Sequence, residues 1–182
     1  MNFHYRCLDC GTEYDNSVLR YRCPVCAAAA VGSRAFQAGN LEVLYDAAEL
    51  RSIGSSETFS QFDFFPYPIQ DYSAYPVGNT PLIRSQRLSR SSGITNLRFK
   101  NDGANPSGSF KDRASQLIAA QAIAHGQRRV VVASTGNAGS AMACAGAAYG
   151  LEIILFVPET APVNKLIGWL AIRDGSVNAG VE

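Results

Sequence analysis

From about residue 97 onward, the chain alternates short apolar strands with helical segments, and this alternation restricts its fold more than any other feature of the sequence. The pattern predicts three strands, at 97–100, 130–133 and 153–157, and three helices, over 110–124, 138–149 and about 162–172. Repeated strand–helix units form a parallel sheet with helices on its faces, so we expect an α/β fold with helices on both faces of the sheet. A further short strand is predicted earlier, over 41–45.

In a parallel sheet of this kind, ligands bind at the edge where strands end and the following helices begin. Three segments are predicted to meet there: 101–111, 134–137 and 158–160. Lys111 is one of only three lysines in the chain and the only one placed at a predicted helix start on this edge. A lysine there can form a Schiff base with a carbonyl cofactor. On spacing alone, however, a solvated charge is the commoner role for such a lysine.

The residues around the two main helices carry local signals. Ser109 to Asp112 reads as a capping box at the start of the first helix, and Gly126 as the glycine just beyond its end. Ser134 and Thr135 precede the second helix, and their hydroxyls, together with free backbone N–H groups, would bind a carboxylate or phosphate. An ordinary helix cap formed by Asn137 explains this loop equally well.

Four of the five cysteines are arranged in two pairs, Cys7 with Cys10 and Cys23 with Cys26, in the pattern C-x2-C-x12-C-x2-C. Two such turns facing each other place four sulfurs tetrahedrally, which favours a structural zinc ion. Two disulfides or a rubredoxin-type iron are the alternatives. Because all four ligand positions are filled by protein, the metal is expected to stabilise the fold and to take no part in chemistry. The fifth cysteine, Cys144, is expected in the core of a helix rich in Ala and Gly.

Composition excludes several functional classes. The chain has 182 residues, of which 47% are hydrophobic, enough for a buried core. Sixteen Lys and Arg stand against 15 Asp and Glu, giving a net charge of +1, so we expect neither nucleic acid nor a membrane surface as a partner. The first residues carry no apolar run of the signal-peptide type, and we expect a cytoplasmic protein.

Three motifs together resemble the fold-type-II pyridoxal-phosphate enzymes, whose fold is like that of the tryptophan synthase β subunit. They are Gly78-Asn-Thr-Pro-Leu, Asn105-Pro-Ser-Gly-Ser-Phe-Lys-Asp-Arg and Ser134-Thr-Gly-Asn-Ala-Gly. Within this group the chain most resembles the threonine synthase family, some members of which also carry an amino-terminal four-cysteine extension. The resemblance covers about residues 76–172. It implies three segments: a zinc ribbon at 1–35, a connecting region at 36–75 and the amino-terminal part of the catalytic domain at 76–182.

The resemblance also implies roles for individual residues. Lys111 would hold pyridoxal 5'-phosphate covalently and shuttle protons, while Phe110 and Asn137 would contact the cofactor. The substrate would be bound by the loop and helix start that comprise Ser134, Thr135, Gly136, Asn137 and Ala138. The family reaction converts O-phosphohomoserine, a small amino-acid phosphate, and water into threonine and phosphate.

The resemblance stops before the part of the family that holds the cofactor phosphate, and the ending Arg173 to Glu182 departs from the strand expected there. We therefore interpret the chain as the amino-terminal part of such an enzyme. We expect it to bind cofactor poorly or aggregate unless a second copy or a complementing carboxy-terminal half completes it. Two alternatives remain: another enzyme of this group (threonine dehydratase, cysteine synthase or cysteate synthase), or a catalytically inactive remnant with a zinc-ribbon interaction module.

Overall fold

A computed structural model describes residues 2–31, 38–55, 58, 60–69 and 71–159, and the backbone of 177–181. The chain forms two compact units, Met1–Pro68 and Ile69–Glu182, which are taken here in turn. The three-segment division at residues 35 and 75 stays a prediction. The helix predicted over about 162–172 lies outside the described residues. Within them, no helix is both long enough and apolar enough to cross a membrane.

The first unit is built on a small antiparallel sheet. Strand β1 (Phe3–Cys7) lies between β2 (Glu13–Tyr14) and β3 (Leu41–Tyr45), and the strand predicted over 41–45 is confirmed. Phe3, Tyr5 and Cys7 of β1 are buried while the residues between them face outward, as the two-residue period of a strand requires. The helices α1 (Pro24–Ala29) and α2 (Ala47–Gly54), and a 3-10 turn at Gln61–Phe64, complete the unit.

The core of the second unit is a parallel sheet. Strands β6 (Arg129–Ala133), β7 (Glu152–Val157) and β8 (Val177–Val181) lie in chain order, with β7 in the centre. Helices α4 (Lys111–Ala124) and α5 (Asn137–Tyr149) pack on it. The predicted strands at 130–133 and 153–157 and the predicted helices over 110–124 and 138–149 are confirmed to within one residue at each end.

Both described helices cover the same face of this sheet. Ala119 and Ala122 of α4 share one apolar cluster with Met142 and Ala145 of α5 and with Ile153 of β7. When parallel strands follow each other in one direction across a sheet, right-handed connections place the linking helices on the same side. The helix predicted over about 162–172 lies outside the described residues, so the prediction of helices on both faces of the sheet stays a prediction. On the opposite face Val131 is 58% exposed and Phe156 is 41% exposed.

The strand predicted at 97–100 does not join the parallel sheet. Strand β5 (Arg98–Lys100) pairs antiparallel with β4 (Leu82–Arg84) in a separate two-stranded ribbon. The short helix α3 (Gln86–Ser92) connects the two strands, and Gly93 follows it at φ 74°, where the chain turns back. An antiparallel partner strand needs only a short connection, whereas a parallel one needs a full crossover. The antiparallel pairing of β5 with its near neighbour β4 is therefore favoured.

The end of the chain also differs from expectation. Residues 173–182 were expected to depart from the strand that the resembled family has at this point. Instead, β8 pairs in parallel with β7, from Ile153 opposite Val177 to Val157 opposite Val181. The small-residue sequence Val-Asn-Ala-Gly-Val still completes backbone hydrogen bonds along one edge of β7.

Gly146 marks the closest approach between α5 and the sheet. A Cβ atom added there would lie 2.3 Å from Cγ1 of Ile153 and 3.1 Å from the carbonyl oxygen of Leu151. Ile153 is fully buried, and Leu151 contributes backbone, so neither can move away at low cost. The Ala- and Gly-rich composition of this helix is explained by this contact.

We expect Gly146→Ala to lower the free energy of unfolding by about 1–3 kcal/mol, because the added methyl overpacks the core. Urea denaturation followed by circular dichroism measures the change. Gly54→Ala is the matched control, since a Cβ there meets nothing within 4 Å and its φ is helical. If both variants unfold at the same urea concentration, the close approach of α5 to β7 is not as described.

Candidate functional site

Lys111 is the first residue of α4, as the sequence predicted for the candidate cofactor lysine. Its backbone N–H donates to Oγ of Ser109 at 3.1 Å, and its Nζ lies 4.4 Å from the centre of the Phe110 ring. Phe110 is 58% exposed, and Lys111 is half-buried. The amine and the ring therefore stand together at the surface of the helix start.

The predicted capping box is wrong. The residue before the helix is Phe110, which offers no side-chain acceptor, and Asp112 does not reach back to Ser109. The Asp112 carboxylate instead accepts two hydrogen bonds from Ser107, from N at 3.1 Å and from Oγ at 2.8 Å. The end of the helix follows prediction: Gly126 has φ 67°, and its N–H donates to the carbonyl of Ile123.

Asp112 is fully buried, and it connects three parts of the second unit. Besides Ser107, the hydroxyl of Tyr75 donates to it, and that same hydroxyl lies 3.0 Å from the carbonyl oxygen of Ala141 in α5. Burial raises the pKa of Tyr75, and the hydrogen bond to Asp112 raises this pKa further, so the phenol keeps its proton and remains a donor. One oxygen atom thus contacts the first turn of α4, which begins at Lys111, and the second turn of α5.

The loop before α5 is organised by Ser134. Its Oγ accepts hydrogen bonds from the N–H groups of Gly136 and Gly139, both at 3.2 Å. Asn137 is the first helical residue, and the first-turn N–H of Gly139 is bonded by Ser134, so the alternative in which Asn137 caps the helix is wrong. The side chain of Asn137 is exposed, and Thr135, Gly136 and Ala138 are half-buried. The five predicted substrate-binding residues therefore form one short, accessible segment.

A polar network fixes the loop that precedes Lys111. Two guanidinium nitrogens of Arg113, Nε and Nη2, each donate a hydrogen bond to the Asp102 carboxylate at 2.8 Å. The Thr80 hydroxyl donates to the same carboxylate at 2.7 Å. The Arg113 hydrogen bonds, with help from Thr80, hold the pKa of Asp102 well below its usual range. The buried Asn105 accepts from N of Gly78 at 2.9 Å. These contacts join the Gly78 motif to the Asn105 motif.

Sequence reasoning missed the two side chains that organise this site. Asp112 is predicted only as part of a capping box, and nothing in that pattern indicates the hydrogen bonds that it accepts from Ser107 and Tyr75. No local pattern marks Tyr75, whose partners lie 37 and 66 residues further along the chain.

The four paired cysteines of the first unit come together. Their sulfur atoms all lie within 4.8 Å of one another, with Cys7 3.8 Å from Cys26 and Cys10 3.7 Å from Cys23. Four sulfurs placed tetrahedrally at 2.3 Å from a zinc ion would be about 3.8 Å apart. No disulfide joins them, which removes the disulfide alternative for this structure. The donor set and its spacing fit a tetrahedral metal such as zinc or iron.

Gly39 is a further part of the cysteine cluster that the sequence did not reveal. Its carbonyl accepts from N of Cys23 at 2.8 Å, and its N–H donates to the carboxylate of Asp9, between the first two cysteines, at 2.5 Å. Its φ is 88°, and a Cβ atom would lie 3.1 Å from the carbonyl oxygen of Cys23. Only glycine combines this conformation with this contact, and the residue ties the two cysteine turns together.

Residues 74–169 match a family model described as pyridoxal-phosphate dependent enzyme. The chain belongs to this family. Among its relatives, the threonine synthase of Methanosarcina acetivorans is 30% identical over 167 residues, and that of Methanocaldococcus jannaschii is 34% identical over 163 residues. These matches take in 86% and 85% of this chain and 37% of each relative. The chain therefore spans well under half the length of these relatives, and the resemblance to threonine synthases is confirmed.

One solved structure gives a partial match. A hydrogen sulfide-producing enzyme from Fusobacterium nucleatum is similar over 58% of this chain and 35% of its own, at 22% identity and a TM-score of 0.47. The prediction of an α/β fold holds for the second unit of this chain. Its sheets are small, and one is parallel while the other is antiparallel.

We expect Asp112→Ala to lower the free energy of unfolding by at least about 2 kcal/mol, because both Ser107 donors lose their acceptor inside the protein. Hydrogen exchange at residues 107–112 should also become faster, since the loop loses its attachment to α4. Asp71→Asn is the control, because Asp71 accepts similar hydrogen bonds from Ser73 but is exposed. An Asp112 variant as stable as the control would show that the buried carboxylate does not organise this site.

Proposed function

We propose that this chain is part of a threonine synthase-like enzyme that uses pyridoxal 5'-phosphate to convert O-phosphohomoserine and water into threonine and phosphate. The observation that carries the proposal is the arrangement of the two predicted segments. Lys111 begins α4, the predicted substrate loop begins α5, and the Tyr75 hydroxyl contacts both helices. An amine and a set of anion-binding groups are thereby held in one small region.

The cofactor proposal assigns Lys111, Phe110 and Asn137. Nζ of Lys111 is the nucleophile for the cofactor aldehyde and, once released, the group that carries protons to and from the substrate. Phe110 packs beside this amine, and Asn137 presents an exposed amide at the start of α5. When bound, pyridoxal phosphate supplies an acceptor for the electrons left behind as protons leave the substrate.

The substrate proposal assigns the segment from Ser134 to Ala138. The amino end of α5 carries a partial positive charge and backbone N–H groups, which favour a carboxylate or phosphate. The Ser134 oxygen accepts two backbone N–H bonds, which leaves its own proton available to donate. Thr135 adds a second hydroxyl, and Gly136, with no atom within 4 Å of an added Cβ, leaves space beside the backbone.

For the first unit we propose one structural zinc ion held by Cys7, Cys10, Cys23 and Cys26. The support is the near-tetrahedral spacing of the sulfurs and the buried positions of Cys7 and Cys23. A four-sulfur site has no open position, so the ion would stabilise the unit and leave the reaction to the residues around Lys111.

We further propose a cytoplasmic protein whose partner is a second copy of the chain or a complementing carboxy-terminal half. Among the described residues no helix covers the sheet face opposite α4 and α5, and this supports the proposal, because Val131 and Phe156 are large apolar side chains exposed on that face. Neither nucleic acid nor a membrane is among the proposed partners.

The cofactor assignment is tested by reducing the purified chain with borohydride in the presence of excess pyridoxal phosphate and mapping the labelled peptide. Because the chain has only Lys100, Lys111 and Lys165, three peptides account for every lysine. We expect Lys111 to be labelled at least several-fold more than the other two, since it begins α4, the helix that the Tyr75 hydroxyl joins to α5. Reduction traps even weakly bound cofactor, so the expected low affinity does not obscure the result.

Substrate class is read from the same experiment. O-Phosphohomoserine should lower the labelling of Lys111 more than serine, threonine or O-acetylserine does, because its amine competes for the aldehyde and its phosphate can bind at α5. Lys111→Ala should lose the specific label, whereas Lys100→Ala should keep it. Equal labelling of all three lysines would refute the cofactor assignment, and stronger protection by serine or O-acetylserine would favour another enzyme of the group.

Elemental analysis of the purified chain should find one zinc ion per chain. The same measurement distinguishes zinc from iron directly. Chelation should speed hydrogen exchange throughout the first unit and leave α4, α5 and the parallel sheet unchanged, because metal binding is coupled to folding in such small modules. Cys23→Ser should lose the metal, while Cys144→Ser, which changes a cysteine of α5, should retain it. Retention of a full equivalent by Cys23→Ser would exclude this site.

A further inference from the structure

Two hydroxyl groups lie against the cysteine cluster without belonging to it: that of Thr12, whose Oγ1 is 3.2 Å from Sγ of Cys10, and that of Tyr14. The Tyr14 hydroxyl, at the end of β2, is 3.1 Å from Sγ of Cys23. A metal-bound cysteine is a thiolate and can only accept a hydrogen bond, so in the loaded site the tyrosine is the donor. The hydroxyl therefore points at a sulfur that bears negative charge.

A cation covers the ring that carries this hydroxyl. The guanidinium carbon of Arg20 lies 4.6 Å from the centre of the Tyr14 ring. Its Nε is buried and has no hydrogen-bond partner among the described residues, so the side chain is held there by the ring contact and not by an ion pair at that nitrogen. Arg20 thus brings a positive charge to the Tyr14 ring, and it also acts electrostatically on the exposed Asp15 carboxylate.

The charge of the loaded site explains why such a pair would be useful. Four thiolates around one divalent zinc leave a net charge of about −2 on a small, partly buried group. A hydrogen bond donated to one sulfur and a cation within a few ångströms both stabilise that charge. A cation over the face of a phenol also draws electron density from the ring, which strengthens the hydroxyl as a donor.

We propose that Tyr14 and Arg20 are positioning residues for the metal: Tyr14 donates a hydrogen bond to the Cys23 thiolate, and Arg20 holds and polarises the Tyr14 ring. This inference rests on the zinc site proposed above. Its consequence is a metal that is bound more tightly and a Cys23 sulfur that gives up electrons less readily than it would without the hydroxyl.

The test compares Tyr14→Phe with the unchanged chain. Zinc affinity is measured by competition with a chromophoric chelator, and Co²⁺ is used as a spectroscopic substitute for zinc. We expect Tyr14→Phe to weaken zinc binding by about tenfold or more, the usual effect of removing an outer-shell partner. The sulfur-to-cobalt charge-transfer band should move to lower energy, because a sulfur that loses its hydrogen bond gives up electrons more readily.

Two further variants make the result specific. Arg20→Gln should also weaken zinc binding and move the cobalt band to lower energy. Both changes should be smaller than those of Tyr14→Phe, since the Tyr14 hydroxyl remains. Tyr21→Phe, which removes a hydroxyl from a side chain that is 81% exposed, should change neither. The cobalt band reports only on the loaded site, so it separates a changed sulfur environment from a general loss of folded protein.

The possible failures are distinct. If the unchanged chain binds neither zinc nor Co²⁺, the zinc proposal itself falls and takes this inference with it. If the unchanged chain binds both metals and Tyr14→Phe matches it in zinc affinity and in the cobalt band, the zinc site stands and the role of Tyr14 is overturned.

Discussion

The second unit depends on a buried carboxylate whose hydrogen bonds are donated by neutral groups. Asp112 has no exposed surface, and its carboxylate receives hydrogen bonds from Ser107 and Tyr75. Burying a carboxylate is costly unless its hydrogen bonds are complete, so the loop, the tyrosine and the helix start can adopt only the arrangement that completes them. Lys111 precedes this residue in the chain, so the backbone position of Lys111 at the start of α4 is fixed as a consequence.

The first unit follows a different principle. Its buried side chains are few, chiefly Phe3, Tyr5 and Tyr67 around the small sheet and two of the cysteines. A core of this size contributes little stability on its own, and modules of this size commonly depend on a metal. Gly39, which joins the two cysteine turns through backbone hydrogen bonds, shows that the geometry of the cluster is built into the chain and is not left to the ion alone.

Much of the secondary structure could be predicted from sequence because its causes are local. Apolar runs such as 130–133, the helical spacing of α4 and the glycine after it each act within a few residues, and the cysteine spacing limits the shape of its own turns. What failed depended on distant partners. The pairing of β5 with β4 in place of the parallel sheet, and the capture of Asp112 by Ser107 and Tyr75, are decided by tertiary contacts that no local pattern contains. For the candidate site, the motifs indicated which segments to examine, and the contacts that hold them in place came only from the structure.

The pairing of β1 with β3 closes a loop of residues 8–40 that contains Cys10, Cys23 and Cys26, while Cys7 ends β1. Bringing two strands together across such a loop costs chain entropy, and that cost grows with the length of chain left free between them. An ion that links Cys7 to Cys26 would shorten the free segment to residues 27–40 before β3 has to find its partner. The metal would then speed the pairing of β3 with β1, so that during folding the ion is bound first and the sheet is completed second.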